Sequence, residues 1–253
     1  MDIKIPYTPR KHQAFLHNKI SKHRWSVLVC HRRFGKTVCM INHLIRSALL
    51  SKQKNPRYAY ISPTFKQSKS IAWDYMKQFT AKIPYTKFNE TELRVDLPNG
   101  SRITLLGSEN SDGLRGIYLD GCVIDEYANV NEKLFPEIIR PALSDRKGYC
   151  VFIGTPQGMN NNFYELYQHA QGAEDWFNYK AKASETKIVD KEELVKAKEV
   201  MGEKKYLQEF ECDWIANIEG SIYNDTLVKM EDKKQLTRVP YDPSLPVSTS
   251  WDL

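Results

Sequence analysis

The chain has 253 residues, of which 41% are hydrophobic and 27% charged, proportions typical of a globular protein with a sizeable core. It contains no apolar run near the roughly 20 residues that span a bilayer and no signal-peptide pattern, which predicts neither membrane insertion nor secretion. The net charge of +6 is concentrated in residues 1–60, which hold thirteen Lys or Arg and one acid, and such a segment attracts polyanions. Five cysteines without metal-binding spacing indicate reduced, buried thiols in an intracellular compartment.

The apolar pattern predicts strands that alternate with helices along the chain. Thr8 is predicted to cap a first helix that has Pro9 in its first turn. Further on, Pro98-Asn99-Gly100 separates two short alternating runs and predicts an antiparallel hairpin. Strands are expected at about 25–30, 58–62, 121–125 and 148–153, and helices at about 36–50, 65–81, 131–140, 163–171, 191–200 and 203–211. This alternation predicts a mostly parallel sheet with helices on both faces.

The first chemical motif is a loop between the first strand and the second helix. It ends in Gly35-Lys36-Thr37, which is typical of a phosphate-binding loop (Walker A) at a helix N-terminus. Lys36 is predicted to contact the β- and γ-phosphates of a nucleotide, and the Thr37 hydroxyl to hold Mg²⁺. One departure is that Cys30 stands where such loops begin with glycine. The loop as a whole comprises Cys30, His31, Arg32, Arg33, Phe34, Gly35, Lys36 and Thr37.

The second motif, Val123-Ile124-Asp125-Glu126, has the pattern of a buried parallel strand with two acids at its carboxyl end (Walker B). Ligands of open α/β sheets bind at that edge. Asp125 is predicted to complete the Mg²⁺ shell, usually through water. Glu126, which points to the other side of the strand end, is predicted to polarise the attacking water. The alternative is that the two acids only begin a solvated loop.

In this order, the motifs resemble the ATPase domain of the large terminase subunit of tailed bacteriophages, the motor that packages DNA into proheads. The resemblance covers essentially the whole chain. It includes a Gly113-Leu114-Arg115-Gly116 segment and an Ile153-Gly154-Thr155-Pro156 turn. It implies a P-loop NTPase of the RecA-like/ASCE type, with a mostly parallel central sheet, helices on both faces and an antiparallel hairpin insert.

The resemblance also assigns roles to single residues. Gln13 matches the family's adenine-recognising glutamine, and Arg32, rather than Arg33, matches the P-loop arginine near the γ-phosphate. Arg115 matches a trans-acting finger for a neighbouring subunit's ATP, the alternative being a loop arginine paired with Asp112 or Asp120. Gly154, Thr155 and Pro156 match the motif that couples hydrolysis to movement.

For the C-terminal part, the resemblance implies a division into an ATPase domain (1–218), a linker segment (219–246) and the first strand of an RNase H-like nuclease domain (247–253). Asp252 would be the first metal ligand of that nuclease. Because two-metal cleavage needs several carboxylates on different strands, we expect no nuclease activity from this chain.

The implied function is hydrolysis of ATP with Mg²⁺ to translocate double-stranded DNA into a prohead. The implied partners are the DNA, the portal protein, the small terminase subunit and further copies of the chain in a ring, expected to be a pentamer, with no membrane. The implied location is the host cytoplasm, at the prohead portal during packaging. Two alternatives stay open, a superfamily 2 type helicase or translocase and a nucleotide-dependent module that clamps DNA without turnover.

Overall fold

A computed structural model describes residues 5–109 and 114–215, together with the isolated positions 230, 233 and 235. Contacts divide the chain into two units, Met1–Asn217 and Ile218–Leu253, and the architecture below is that of the first. Several predictions lie outside the described residues: Asp112, Gly113, the linker at 219–246, and the nuclease strand at 247–253 with Asp252.

Eight strands and nine α-helices occur in the described part of the chain. The strands are β1 (Trp25–Cys30), β2 (Arg57–Ser62), β3 (Lys87–Asn89), β4 (Arg94–Asp96), β5 (Arg102–Gly107), β6 (Gly121–Asp125), β7 (Tyr149–Gly154) and β8 (Trp176–Ala181). The helices are α1 (Lys11–Ile20), α2 (Lys36–Leu50), α3 (Phe65–Gln67), α4 (Asp74–Thr80), α5 (Arg140–Ala142), α6 (Asn162–Gly172), α7 (Ala183–Thr186), α8 (Lys191–Met201) and α9 (Glu203–Phe210). A π-helical turn, Ser68–Trp73, joins α3 to α4, and another, Leu134–Ile139, precedes α5.

All eight strands form one sheet in the order β3-β4-β5-β2-β6-β7-β1-β8. Along the sheet, the six strands β5-β2-β6-β7-β1-β8 pair in parallel, whereas β4 is antiparallel to both β3 and β5. This confirms the predicted mostly parallel sheet, and the hairpin at 98–100 joins β4 to β5 as predicted.

Buried side chains cover both faces of the sheet. Leu28 faces a core with Leu44 of α2, whereas Val27 and Val29 face a second core with Phe163 of α6. A strand that is buried on both faces carries a continuous apolar run instead of an alternating one. This explains why the sequence shows the central strands clearly. None of the helices in the described residues is long and apolar enough to cross a membrane.

The first helix begins later than the sequence predicts. It starts at Lys11, and its N-cap is Arg10 rather than Thr8. The reason is a cap in which the Gln13 side chain accepts a hydrogen bond from the Arg10 backbone N–H at 3.0 Å. This cap decides the boundary over the usual Thr-Pro signal.

Two strands at the edges of the sheet are not predicted by the sequence. β3 has only three residues, and β8 has five half-buried residues of its six, so neither shows a strong period-2 pattern. β8 pairs with β1 on the outer side of the P-loop strand. Edge strands are specified by pairing with the sheet more than by their own sequence.

Candidate nucleotide-binding site

Three of the predicted motifs meet at one edge of the sheet. β7 lies between β6 and β1, with Asp125 opposite Ile153 and Val29 opposite Gly154. Because all three strands are parallel, their carboxyl ends lie side by side. Ligands of open α/β sheets bind at this edge.

The phosphate-binding loop turns into α2 at Gly35. Gly35 has φ +87°, a left-handed conformation that other residues rarely adopt, and a Cβ there would lie 2.9 Å from Nε2 of Gln13. Phe34 is fully buried and anchors the loop in the core. The N-terminus of the fifteen-residue α2 therefore stands at the loop, where its backbone N–H groups form an anion site.

Lys36 of the phosphate-binding loop contacts one residue from each of the other two motifs. Its Nζ donates to Oγ1 of Thr155 at 2.9 Å and lies 3.5 Å from Oε1 of Glu126. Its side chain is only 13% exposed. Burial by itself lowers the pKa of Lys36, but the carboxylates of Glu126 and Asp125 outweigh it and the pKa is raised. Lys36 therefore stays charged within the site.

Asp125 is buried at the end of β6. Its Oδ2 accepts a hydrogen bond from the Tyr60 hydroxyl, and its Oδ1 accepts from the Glu126 backbone N–H at 3.0 Å. Burial and the neighbouring Glu126 charge raise the pKa of Asp125 to about 6, against the lowering effect of Lys36. Glu126 leaves the strand with φ +46°, and this turn directs its carboxylate to Lys36.

The donors at this edge suit Mg²⁺. The Thr37 hydroxyl and the Asp125 carboxylate are hard oxygen ligands, and Mg²⁺ takes few protein carboxylates and keeps several waters. No cluster of three or more His, Cys, Asp or Glu in metal-holding positions occurs in the described part of the chain. A shared site with nucleotide phosphates fits these residues better than an all-protein metal cage does.

Gln13 lies against the phosphate-binding loop and is 3% exposed. Its Nε2 donates to the Gly35 carbonyl at 3.2 Å, and its Oε1 accepts from the Arg10 backbone. The structure thus places Gln13 next to the site, with its amide bonded to the loop. Its predicted contact with adenine stays a prediction.

The remaining loop residues differ in their surroundings. The buried His31 ring bonds to Thr186 Oγ1 at 2.8 Å and to the Arg32 carbonyl at 2.6 Å, and burial lowers its pKa. Cys30 is fully buried, and burial raises its pKa well above the usual range. These side chains support the loop, whereas Arg32 and Arg33 are exposed.

Arg32 and Arg115, the two predicted arginines, are both largely exposed. Arg32 is 61% exposed and its Nη1 lies 3.9 Å from Oε2 of Glu209, while Arg115 is 57% exposed and its Nη2 lies 3.8 Å from Oε2 of Glu137. Asp120, one of the alternative partners of Arg115, instead accepts from the Arg57 backbone at 2.8 Å. Among the described residues, Arg115 forms an ion pair with Glu137, while Asp112 lies outside them.

Comparison with known families bears on this site. A family model described as the terminase large subunit, T4likevirus-type, N-terminal, matches residues 29–230. The chain belongs to this terminase large-subunit family.

Relatives of this terminase chain carry the same designation. It is 26% identical over 182 residues to the large terminase subunits of Thermus phage G20c and Thermus virus P23-45. The match covers 64% of this chain and 36% of each relative, so the chain spans about a third of their length.

Solved terminase structures share its fold. The large terminase ATPase domain of Thermus phage P74-26 has a TM-score of 0.70 at 20% identity, covering 83% of this chain and 95% of that one. The large terminase of a thermophilic bacteriophage, solved in complex with ADP, has a TM-score of 0.70 at 17% identity, covering 81% and 53%. The likeness confirms the predicted RecA-like P-loop fold.

Within this terminase fold, the predicted residues separate into two groups. Lys36, Glu126, Thr155 and Asp125 are brought together at one sheet edge. Arg115 is not among them: its side chain is largely exposed and forms an ion pair with Glu137.

Sequence reasoning misses two neighbouring residues of α9 that contact the site. Gln208 is fully buried, and its Nε2 donates to the Pro156 carbonyl at 2.6 Å. The Glu209 carbonyl accepts from the Arg32 backbone N–H at 2.7 Å. The sequence predicts this helix, but no local pattern marks its contacts with motifs elsewhere in the chain.

Tyr60 is a third residue that sequence reasoning misses. It lies in the middle of β2, and its hydroxyl donates to Asp125. In the sequence it is one more member of an apolar run, so the pattern predicts the strand and gives no sign of the bond.

Proposed function

We propose that this chain is the motor domain of a large terminase, which hydrolyses ATP to translocate double-stranded DNA into a prohead. The observation that carries the proposal is the convergence of Lys36, Glu126 and Thr155, with Asp125 beside them. Membership of the terminase large-subunit family supports it. The structures of a thermophilic bacteriophage terminase with ADP and with ATP-gamma-S support nucleotide as the ligand.

ATP is held by charge and by backbone donors. The loop that ends at Gly35 and the N-terminus of α2 receive the phosphates, and Lys36 places its ammonium on the β- and γ-phosphates. Thr37 and Asp125 would hold Mg²⁺, which would supply positive charge to neutralise the phosphate oxygens. The loop is braced from the side of α1 by hydrogen bonds from the Arg10 and Gln13 side chains.

Glu126 is the group that activates the attacking water. Its side chain is 35% exposed, so water reaches the carboxylate, and the carboxylate lies at the Lys36 ammonium that faces the phosphates. It orients the attacking water and accepts its proton during in-line attack on the γ-phosphate. Arg32 from the same chain and Arg115 from a neighbouring chain add positive charge to the transition state.

Movement begins at the turn after β7. Thr155 contacts Lys36, and its neighbour Pro156 is bonded to Gln208 of α9, so a shift of Lys36 toward phosphate changes a contact that reaches α9. Glu209 on the same helix contacts Arg32. This path connects the γ-phosphate to the outer helices within one chain.

Family membership supports the proposed assembly. We place the working motor in a ring, such as a pentamer, at the portal of the prohead in the host cytoplasm, with the small terminase subunit as a further partner. Family membership favours this over the superfamily 2 helicase alternative, and the position of Glu126 favours turnover over a DNA clamp.

Steady-state phosphate release tests the proposal, first with the chain alone and then with double-stranded DNA and empty proheads that carry the portal. We expect Mg²⁺-dependent turnover that rises when portal and DNA are both present. Tight ATP binding without phosphate release under all of these conditions would favour the DNA clamp. Turnover that is stimulated by DNA but indifferent to the portal would favour the helicase.

A further inference from the structure

Tyr60 is a polar group buried in the centre of the sheet. It lies in β2 between β5 and β6, opposite Leu105 and Val123, and its side chain has no exposed surface. Its ring packs in the core on the α2 face, beside the helix that begins at the phosphate-binding loop. A buried phenol needs a partner for its hydroxyl, because a buried polar group without one loses the hydrogen bonds it made to water.

The partner of the Tyr60 hydroxyl is one of the side chains assigned to Mg²⁺. The hydroxyl donates to Oδ2 of Asp125. One hydroxyl from β2 is thus bonded to the carboxylate at the end of β6.

The bond leaves Asp125 able to bind a cation. An ionised carboxylate has about four acceptor positions, of which Tyr60 and the Glu126 backbone N–H use two. The phenol is protonated at neutral pH and donates to Asp125. Tyr60 itself therefore orients a ligand and is not one.

We propose that Tyr60 is a positioning residue for the Mg²⁺ site, which holds the Asp125 carboxylate in the orientation that the ion requires. Mg²⁺ demands nearly ideal octahedral geometry, so a carboxylate that rotates freely binds it poorly. Removing a partner that orients a metal ligand typically costs about 10–100-fold in metal affinity. This inference rests on the proposed function of the same site.

The chain offers a matched control on the same strand. Tyr58 lies two residues before Tyr60, so its side chain faces the same side of β2. It is also buried, and its hydroxyl donates to the Ser47 carbonyl at 3.2 Å, away from the site. Tyr58→Phe and Tyr60→Phe each remove one buried hydroxyl from one strand and keep the ring in the core.

The experiment measures binding of a fluorescent ATP-gamma-S analogue to the wild type and both variants, first in EDTA and then across a Mg²⁺ titration. We expect Tyr60→Phe to need about 10–100-fold more Mg²⁺ for half-maximal enhancement of binding, with unchanged affinity in EDTA. Tyr58→Phe should follow the wild type in both measurements. Thermal unfolding of each variant verifies that the core is intact.

An unshifted Mg²⁺ midpoint in folded Tyr60→Phe would overturn the inference and leave the proposed function standing. Equal weakening of binding in EDTA and in Mg²⁺, or the same midpoint shift in Tyr58→Phe, would also overturn it, because either result indicates a general effect on the fold. A wild type that binds no nucleotide at any Mg²⁺ concentration would overturn the proposed function and this inference together.

Discussion

Lys36 and Arg115 are two cations predicted to act on ATP phosphates, Lys36 in its own chain's site and Arg115 in a neighbouring chain's, and their surroundings in the fold differ. Lys36 is 13% exposed and has Thr155 and Glu126 as partners at the sheet edge. Arg115 is 57% exposed and faces Glu137, which is itself 50% exposed, at 3.8 Å. One cation is positioned inside the chain, whereas the other is presented to the outside.

This difference in exposure indicates which part of the chemistry a single chain can complete alone. A buried, bonded side chain stays in place without further reorganisation, which is what electrostatic catalysis requires. An exposed ion pair contributes only about 0–1 kcal/mol and is easily exchanged for another partner. We therefore expect nucleotide binding to be a property of the single chain and full turnover to be a property of the assembly.

The largest effect is expected from Lys36→Ala. This variant removes the buried ammonium that touches both Glu126 and Thr155, so nucleotide binding should weaken and phosphate release should fall below detection. Lys82→Ala, at an exposed lysine outside the site, is the control and should keep wild-type turnover. Phosphate release at the wild-type rate in Lys36→Ala would show that the loop is not the phosphate site.

Arg115→Ala should separate binding from assembly. The isolated variant should bind ATP normally, but turnover in portal-bound rings should fall about 10³–10⁵-fold, the range for loss of an arginine finger. Wild-type basal activity should rise faster than linearly with protein concentration, because one subunit completes another's site. ATP binding by the isolated variant, and phosphate release across a protein concentration series, measure these effects.

Mixing variants extends the test of Arg115. Arg115→Ala mixed with Glu126→Gln should regain some activity, since one kind of interface pairs an intact pocket with an intact finger. Arg32→Ala should not be rescued in the same way, because Arg32 belongs to the chain's own loop. If the mixed subunits co-assemble but show no activity, the trans-acting role is wrong and Arg115 has only a local role, in an ion pair such as that with Glu137.

Glu126→Gln should leave binding and remove most of the chemistry. The amide keeps the shape of the side chain but accepts no proton, so turnover should fall about 10²–10⁴-fold while ATP affinity is retained. Glu132→Gln, at an exposed carboxylate outside the site, serves as the control. Parallel loss of ATP binding would instead mark Glu126 as structural.

The smallest effect concerns stability, and it extends the contrast between buried and exposed groups to two histidines. His17 and His43 stack face to face, with ring centroids 5.4 Å apart. Burial, with a further contribution from Arg46, lowers the pKa of His17 to about 4, and burial and His17 lower that of His43 to about 3. Both rings therefore stay neutral in the folded state at pH values where the unfolded chain is protonated.

The direction of the change in stability with pH follows from proton binding. Between about pH 6.5 and pH 4 the unfolded state binds more protons, so the free energy of unfolding falls as the pH falls. At about 1.4 kcal/mol per pKa unit, His17 contributes a loss on the order of 3–4 kcal/mol. Urea unfolding at several pH values measures it, and His17→Gln should flatten the slope while the exposed control His169→Gln keeps it. Equal slopes in all three proteins would contradict the prediction.

The sequence by itself determined the central fold and the main motifs. β1, β6 and β7 are apolar runs buried on both faces, and the loop at Gly35-Lys36-Thr37 and the acids at Asp125-Glu126 lie at the ends of two of them. Such features depend on residues that are close in the chain: strand burial, a left-handed glycine and a helix N-terminus. This local character made the parallel sheet and the nucleotide edge predictable.

Only the tertiary structure decided which side chains support these motifs. Tyr60 reaches Asp125 across 65 positions of sequence, and Gln208 reaches Pro156 across 52. The first helix begins after Arg10 because Gln13 packs on the loop and caps the helix. Contacts of this kind arise when the sheet forms and brings distant segments together. A tyrosine or glutamine in a regular strand or helix carries no local sign of the partner it will contact.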